Sequence, residues 1–215
     1  MVAVPLAPRG RLWRRRGSLA LLTLLLLSGI AAWEHDPLLR AAADLWIVSD
    51  PVSPADAVAI FGGGINDRPF AAAAYYHAGL APKILLSVNR VDAAAQLGAV
   101  PSDTEANHQV LRKLGIPESA IETFGAGSAN THDEALALAK WALQAGAHSL
   151  IVPTEIFSAR RVRWMLHRAL GDRVTIMVPA LDPPEYRRDI WWQTDQGMIA
   201  FQNEVLKYVY YRIRY

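Results

Sequence analysis

Residues 55–64, which read Ala-Asp-Ala-Val-Ala-Ile-Phe-Gly-Gly-Gly, decide how this chain folds. The apolar run at 57–61 is typical of a strand buried on both faces of a parallel sheet. Three glycines follow, and Pro69 marks the first turn of a helix. Glycine lets this backbone approach a ligand closely, and the positive end of the helix favours an anion there. The same glycines also fit a tight strand-to-helix turn that binds nothing.

Strand-like and helix-like patterns alternate along the rest of the chain. Apolar strand-like runs recur at 84–87, 121–124, 150–153 and 174–178. Helical patterns occur at 69–78, 104–114, 133–145, 159–170 and 195–212, and a glycine closes each of the first four. Regular alternation of this kind produces right-handed crossovers and a sheet covered on both faces. We therefore predict a Rossmann-like three-layer α/β domain with a mainly parallel sheet over residues 55–215.

The N-terminal region predicts a membrane anchor ahead of this domain. Residues 1–16 carry five arginines, and residues 17–33 carry no charge and are rich in leucine. A helix over 17–33 is long enough to span a bilayer, with the arginines in the cytoplasm and Trp33 at the far interface. Residues 34–54 then form a tether. A cleaved signal peptide and a weak twin-arginine signal at Arg15–Arg16 are the alternatives, and all three readings export the domain across the inner membrane, to the periplasm or the cell exterior.

Composition excludes several classes of protein. Five of the 22 Lys and Arg residues precede the first acid, Glu34, so 17 remain against 20 Asp and Glu in the rest of the chain. An acidic globule of this kind argues against nucleic-acid binding. The chain has no Cys, which removes disulfides, thiolate nucleophiles and Cys-ligated zinc. The six His residues show no metal-ligand spacing, and we expect neither a metal nor an organic cofactor.

Polar residues collect after the predicted strands, where a parallel sheet binds its ligands. The predicted ligand-binding residues are Gly62, Gly63, Gly64, Asn66, Arg68, Ser128, Asn130, Thr131, Thr154 and Arg160. Arg160 lies one turn from a strand end, from which a guanidinium can bind an anion bidentately. The predicted catalytic groups are Glu105 and Asp133, which would transfer a proton.

Helix capping competes with these catalytic roles. Ser102-x-x-Glu105 and Thr131-x-x-Glu134 both match the capping box. For Glu134 we take capping as the default.

The last predicted helix leaves two alternatives open. Met198, Phe201, Val205 and Tyr208 recur at helical spacing, which predicts packing against the sheet. The Trp191–Trp192 pair and the aromatic, basic ending at 208–215 equally suit contact with a membrane surface.

Four motifs in order resemble the YdcF/SanA/ElyC-like family of bacterial envelope proteins. They are 55–64 with Arg68, Thr104-Glu-Ala106, Ser128-Ala-Asn-Thr131, and 154–160, within a likeness that runs from about residue 45 to 211. The resemblance implies a Rossmann-like fold, a membrane anchor on several branches, and a role in envelope integrity and in peptidoglycan or lipid-carrier metabolism. The residues that the resemblance marks are Gly62, Gly63, Gly64, Arg68, Glu105, Ser128, Asn130, Thr131, Thr154 and Arg160. The chain departs from the family at Ile156–Phe157, where Tyr-His is frequent.

Two functional hypotheses follow. The first is an envelope hydrolase or transferase that binds a phosphate-bearing precursor and works beside envelope biosynthesis proteins. The second is a non-catalytic binding or regulatory module for a nucleotide-like, adenosyl or anionic ligand that supports barrier function.

Overall fold

The computed structural model describes residues 16, 19, 21–23, 25–26, 29, 33 and 35–215. The chain divides into two units, residues 1–42 and residues 43–215. The predicted basic tail (1–16) and the predicted anchor (17–33) fall mostly outside the described residues. Within the described residues, no helix combines the length and the apolar character needed to cross a membrane.

Residues 43–215 form an α/β domain around a five-stranded sheet in which every strand pair is parallel. The strand order is β3-β2-β1-β4-β6, and β5 and β7 form a separate parallel pair. This arrangement confirms the predicted α/β class and parallel sheet, and it is compatible with a Rossmann-like fold. The strands are β1 (Ala57–Ile60), β2 (Ile84–Asn89), β3 (Ile121–Ser128), β4 (Ser149–Ile151), β5 (Thr154–Glu155), β6 (Thr175–Met177) and β7 (Ala180–Leu181).

The helices include the five predicted in the α/β domain, each of which begins and ends within two residues of its predicted limits, and a four-residue helix at 93–96 that was not predicted. They are α1 (His35–Trp46), α2 (Arg68–His77), α3 (Ala93–Gln96), α4 (Asp103–Lys113), α5 (Thr131–Ala145), α6 (Ala159–Leu170) and α7 (Asp195–Arg214), with 3₁₀ turns at 118–120, 171–173 and 188–193. Asp67 caps α2, with Pro69 in its first turn, and Gly146 in the left-handed conformation ends α5.

Strand β1 lies in the middle of the sheet and is buried on both faces. Val58 pairs with Ile84 of β2 on one side and with Ile151 of β4 on the other. Its side chains alternate between two cores. One core includes Ala59 and residues of α5, α6 and α7, and the other includes Val58 and residues of α2 and α4. The unbroken apolar run at 57–61 reflects this two-sided burial.

A buried ion pair fixes the C-terminal helix to the domain. Arg161 donates from Nε and Nη2 to the two carboxylate oxygens of Glu204, at 2.7 and 2.9 Å, and from Nη1 to Thr131 Oγ1 at 2.6 Å. Its guanidinium also lies over the ring of Tyr211. Burial acts to raise the pKa of Glu204, but the hydrogen bonds and positive charge of Arg161, with the charge of Lys207, outweigh it and lower the pKa. One guanidinium therefore joins α5, α6 and α7.

Removing one partner of this pair should cost far more than removing both. We expect Glu204→Leu to lower the free energy of unfolding by about 3–5 kcal/mol, because Arg161 is left buried without its counter-ion. The double variant Arg161→Met/Glu204→Leu should recover a large part of that loss. Urea denaturation of each variant measures the difference.

The exposed pair Lys83–Glu122 provides the control, since both of its side chains are more than a third exposed. Glu122→Ala should change the free energy of unfolding by less than about 1 kcal/mol. If the Arg161 and Glu204 substitutions proved additive, the two groups would not be energetically coupled.

Candidate functional site

The strand order reverses at β1, and a cavity opens at this point. Within the sheet, β2 lies on one side of β1 and β4 lies on the other. The loops that follow β1 and β4 therefore diverge. The cavity has a volume of about 420 Å³. It is lined by the β1–α2 loop and the start of α2 (residues 64–68), by Glu155 and Ser158 after β5, by Pro183, Glu185 and Tyr186 after β7, and by Gln196, Ala200, Asn203, Glu204 and Lys207 of α7.

Two glycines of the β1–α2 loop are required by close approach. A Cβ on Gly62 would lie 2.5 Å from Asn89 Oδ1. Gly64 has a φ of +60°, and a Cβ there would lie 2.6 Å from both Asp67 Oδ1 and Arg68 Nε. The predicted tight turn is therefore present, and Gly64 is the member of the triplet that reaches the cavity wall.

Glu134 holds this loop to the neighbouring strand. Its Oε1 accepts from Gly62 N at 2.6 Å and from Asn89 Nδ2 at 2.9 Å, and the side chain is buried. The predicted capping box at 131–134 is wrong, because α5 is capped by Asn130, whose Oδ1 accepts from the amides of His132 and Asp133. Glu134 of α5 instead holds the β1–α2 loop next to Asn89 of β2.

Arg68 supplies a positive charge at the cavity. Its Nη1 donates to the carbonyls of Phe61 (3.2 Å) and Gly62 (2.6 Å), while its buried Nε has no hydrogen-bond partner among the described residues. No carboxylate of the described part of the chain lies within 4 Å of the guanidinium nitrogens. The main chain therefore positions this guanidinium, and no ion pair neutralises it.

Lys207 adds a second cation on the α7 side. Its Nζ lies 3.1 Å from Glu204 Oε1, and about half of the side chain is exposed. Glu204 is already bound in bidentate fashion by Arg161. Two cations, Arg161 and Lys207, therefore share the carboxylate of Glu204.

Asp67 is a titratable group of the cavity with one oxygen that accepts no hydrogen bond. Its Oδ1 accepts from Arg68 N at 2.6 Å, and its Oδ2 accepts no hydrogen bond from the described residues. Burial raises the pKa of Asp67, and the positive charge of Arg68 opposes this while the negative charge of Glu185 reinforces it. An acid held in this way can exchange a proton with a ligand in the cavity.

Glu155, in contrast, is saturated by hydrogen bonds. Its Oε1 accepts from Tyr186 Oη and Phe157 N, and its Oε2 accepts from Ser158 N and Ser158 Oγ. These four donors fill the acceptor capacity of a carboxylate. Burial raises the pKa of Glu155 and also that of Tyr186, where the neighbouring Glu155 adds to the effect. We conclude that Glu155 positions Tyr186 and the start of α6.

The predicted catalytic pair Glu105 and Asp133 does not line this cavity. Glu105 is fully exposed and forms the capping box with Ser102, and the hydrogen bonds from Ser102 lower its pKa. Asp133 Oδ2 accepts from Ala129 N and Asn130 Nδ2, both at 3.1 Å, at the start of α5. Both acids serve helix N-termini in this structure, and their catalytic roles stay predictions.

The other predicted binding residues are only partly brought together. Asn66 and Arg68 line the cavity with Gly64, and Asn66 Nδ2 donates to Glu185 Oε1 at 3.0 Å. Arg160 is turned away, because its Nε and Nη2 donate to the carbonyls of Trp46 and Leu45. The residues outside the cavity lining are Gly62, Gly63, Ser128, Asn130, Thr131, Thr154 and Arg160.

The sequence patterns did not identify several residues that line the cavity. Asp67 lies in the same loop as Gly64 and Arg68, so the rule that sites follow strand ends is a signal that could have found it. Tyr186 and Lys207 carry no local signal, since they come from a later loop and from the last helix. In the described part of the chain, no group of three or more His, Asp or Glu side chains is arranged to hold a metal ion.

Comparison with known proteins identifies no family. No family model matches the chain, and no curated protein matches it. Solved structures with some likeness include a reductase domain of the aureusimine biosynthetic cluster (11% identity, 68% of this chain, 55% of that chain, TM-score 0.29). Another is the E. coli tRNA N6-threonylcarbamoyladenosine dehydratase TcdA in complex with AMP (13% identity, 87% of this chain, 95% of that chain, TM-score 0.30). The chain spans about half the length of the reductase domain, and neither likeness carries an inference about function.

The raised pKa of Asp67 predicts a pH-dependent gain in stability when its charge is removed. Because the pKa is higher in the folded state, ionisation of Asp67 destabilises the fold as the pH rises through that folded-state pKa. Asp67→Asn keeps the cap of α2 but cannot ionise. We expect its free energy of unfolding to exceed that of the wild type at pH 7, and the difference to vanish below the ordinary pKa of 3.8.

Urea denaturation of both proteins across this pH range checks the prediction. Glu105→Gln is the matched control of opposite sign, because the pKa of Glu105 is lowered. The substitution should reduce stability at pH 7 and have less effect in acid. A difference at Asp67 that stayed constant with pH would show that its ionisation is not coupled to folding.

Proposed function

We propose that the cavity binds a small phosphate-bearing ligand and that the chain hydrolyses it or transfers its phosphoryl group in cell-envelope metabolism. The observation that carries the proposal is the pairing, in one cavity at the strand-order reversal, of the unneutralised Arg68 with Asp67, whose pKa is raised. The envelope setting is supported by the uncharged stretch at 17–33 and by the family resemblance. On this proposal the domain is held at the outer face of the inner membrane.

Arg68 and Lys207 bind the anionic group. Arginine provides a planar array of donors that matches phosphate oxygens, and lysine acts as a point charge. Arg68 has donors to spare, because only its Nη1 bonds to the main chain. Lys207 approaches from α7, across the cavity from the β1–α2 loop. Neutral donors at the rim, such as Asn203 and Gln196, suit the hydroxyl or amide groups of the rest of the ligand.

Asp67 transfers the proton. In hydrolysis its carboxylate accepts a proton from water while the water oxygen forms a bond to phosphorus and the bond from phosphorus to the leaving oxygen breaks. The proton then passes from Asp67 to the leaving oxygen, so that charge and atoms balance. In a transfer reaction, a hydroxyl of the acceptor takes the place of water. A carboxylate with a raised pKa is the stronger base for this step.

A non-catalytic binding module for a nucleotide-like or anionic ligand is the second candidate. This binding module is favoured by the hydrogen bonds to Glu155, which occupy both of its carboxylate oxygens. Among the acids described in the cavity, that leaves only Asp67 with both a raised pKa and an unused oxygen. In this case Arg68 and Lys207 keep their binding role, and Asp67 tunes the charge of the site.

The first test is stabilisation by ligands. Inorganic phosphate, polyprenyl phosphates, nucleotide sugars and adenosyl compounds are compared by thermal shift, and a ligand at 100 times its Kd adds about 2.7 kcal/mol of stability. We expect one phosphorylated class to raise the Tm and Arg68→Met to abolish the rise. Arg160→Met is the control and should keep it. A response lost in Arg160→Met and kept in Arg68→Met would place the site elsewhere.

The second test separates catalysis from binding. With the phosphorylated class that binds, Asp67→Asn should lower turnover about 10²–10⁴-fold while its Kd stays close to that of the wild type. Glu105→Gln, an exposed acid outside the cavity, should retain full turnover. Binding without turnover in the wild type would support the binding module.

A further inference from the structure

The outward side of α7 exposes an unusual amount of apolar surface. Five residues form this stripe, with exposed fractions between 51% and 82%: Ile199, Leu206, Val209, Tyr210 and Ile213. The buried residues of the same helix are Gly197, Glu204 and Tyr211. At about 100° per residue, the two sets lie on opposite sides of the helix. The helix therefore packs on the domain with one side and presents a second apolar side outward.

From residue 205 onward, the charges beside this stripe all have one sign. The last eleven residues, 205–215, contain Lys207, Arg212 and Arg214 and no acid. Helical geometry places Arg214 at one border of the stripe and Arg212 at the other, whereas Lys207 is paired with Glu204 at the cavity. Long basic side chains at the borders of an apolar stripe can reach anionic headgroups while the stripe enters the boundary between headgroups and acyl chains.

The chain joins the α/β domain next to α7. Trp46, at the end of α1, packs edge-on against Phe201 and Tyr208 of α7, with ring centroids 6.0 and 5.5 Å apart. Arg160 fixes this junction by binding the carbonyls of Leu45 and Trp46. The uncharged stretch at 17–33 ends ten residues before Ala43, where the domain begins.

We infer that the exposed side of α7 lies on the surface of an anionic lipid bilayer, with the stripe at 199–213 buried at the headgroup boundary. The inference shares with the proposed function the premise that residues 17–33 are in a membrane, but it does not depend on the cavity or its ligand. A second copy of the chain is the competing occupant. Parallel pairing of two such helices would bring Arg212 and Arg214 of both copies together, which is unfavourable.

The test uses the absence of cysteine from the chain, which allows single spin labels without further substitutions. The full chain is reconstituted in vesicles of phosphatidylglycerol and phosphatidylcholine, with labels at Val209→Cys, Ile213→Cys and, as the control, Gln109→Cys. Gln109 is exposed on α4, which packs on the other face of the sheet. Accessibility to oxygen and to a water-soluble nickel complex gives the depth of each label.

We expect the labels at 209 and 213 to gain access to oxygen and lose access to the nickel complex, and the label at 109 to stay in water. Adding Arg212→Glu and Arg214→Glu should return the first two labels to water, because attraction to anionic lipid is lost. Vesicle-bound protein with labels 209 and 213 in water would overturn the inference. Spin–spin broadening between copies would overturn it in favour of the dimer.

Protein that stays out of the vesicles would overturn the inference together with the membrane premise. The ligand hypothesis has a separate readout, because the thermal shift with phosphorylated compounds is measured without lipid.

Discussion

The buried guanidinium of Arg161 is the interaction on which the architecture of the site depends. It binds Glu204 of α7 in bidentate fashion and Thr131 of α5, while its own backbone belongs to α6. Burying two charges is costly, and a pair of apolar side chains would hold three helices together equally well. The ion pair differs from an apolar contact because its two parallel hydrogen bonds fix the rotation of α7 about its own axis. That rotation decides which of its side chains face the cavity.

The opposite wall of the cavity is rigid for a different reason. Strand β1 is fully buried, and the loop after it is held by the amide of Gly62 on Glu134 and by the carbonyls of Phe61 and Gly62 on Arg68. The glycines allow this crowding, since a Cβ at Gly62 or Gly64 would meet neighbouring side chains. A site assembled from main-chain contacts tolerates little change at these positions, although Phe61, Gly62 and Glu134 do not line the cavity.

Sequence periodicity predicted the five strands of the main sheet and the helices that pack on it, because the burial of an element determines the spacing of apolar residues along the chain. It did not predict the short elements β5, β7 and α3. The parallel sheet and the tight turn after 57–61 follow from apolar runs and glycines that are adjacent in the chain. The site was predicted less well, because successive residues of a helix point about 100° apart and the sequence does not say which one faces inward. Arg160 was predicted because it lies one turn from a strand end, but the buried arginine of α6 is Arg161. The partners of Glu134 lie 72 and 45 positions away, so no motif could connect them. Asp67 could have been predicted, because it follows a strand in the same loop as Gly64 and Arg68. Tyr186 and Lys207 could be placed at the cavity only from the tertiary fold.

The position of α7 also bears on how the protein is made. Its twenty residues, Asp195–Arg214, leave the ribosome after the sheet and the helices α1–α6, and they supply one wall of the cavity and one partner of the buried ion pair. During synthesis the sheet and its earlier helices can form while Arg161 still lacks its counter-ion. Such an intermediate has a cavity that lacks the wall formed by α7. Competence to bind therefore arises only after α7 has been synthesised and has docked on the domain, which makes the occupied cavity a marker of a correctly docked α7.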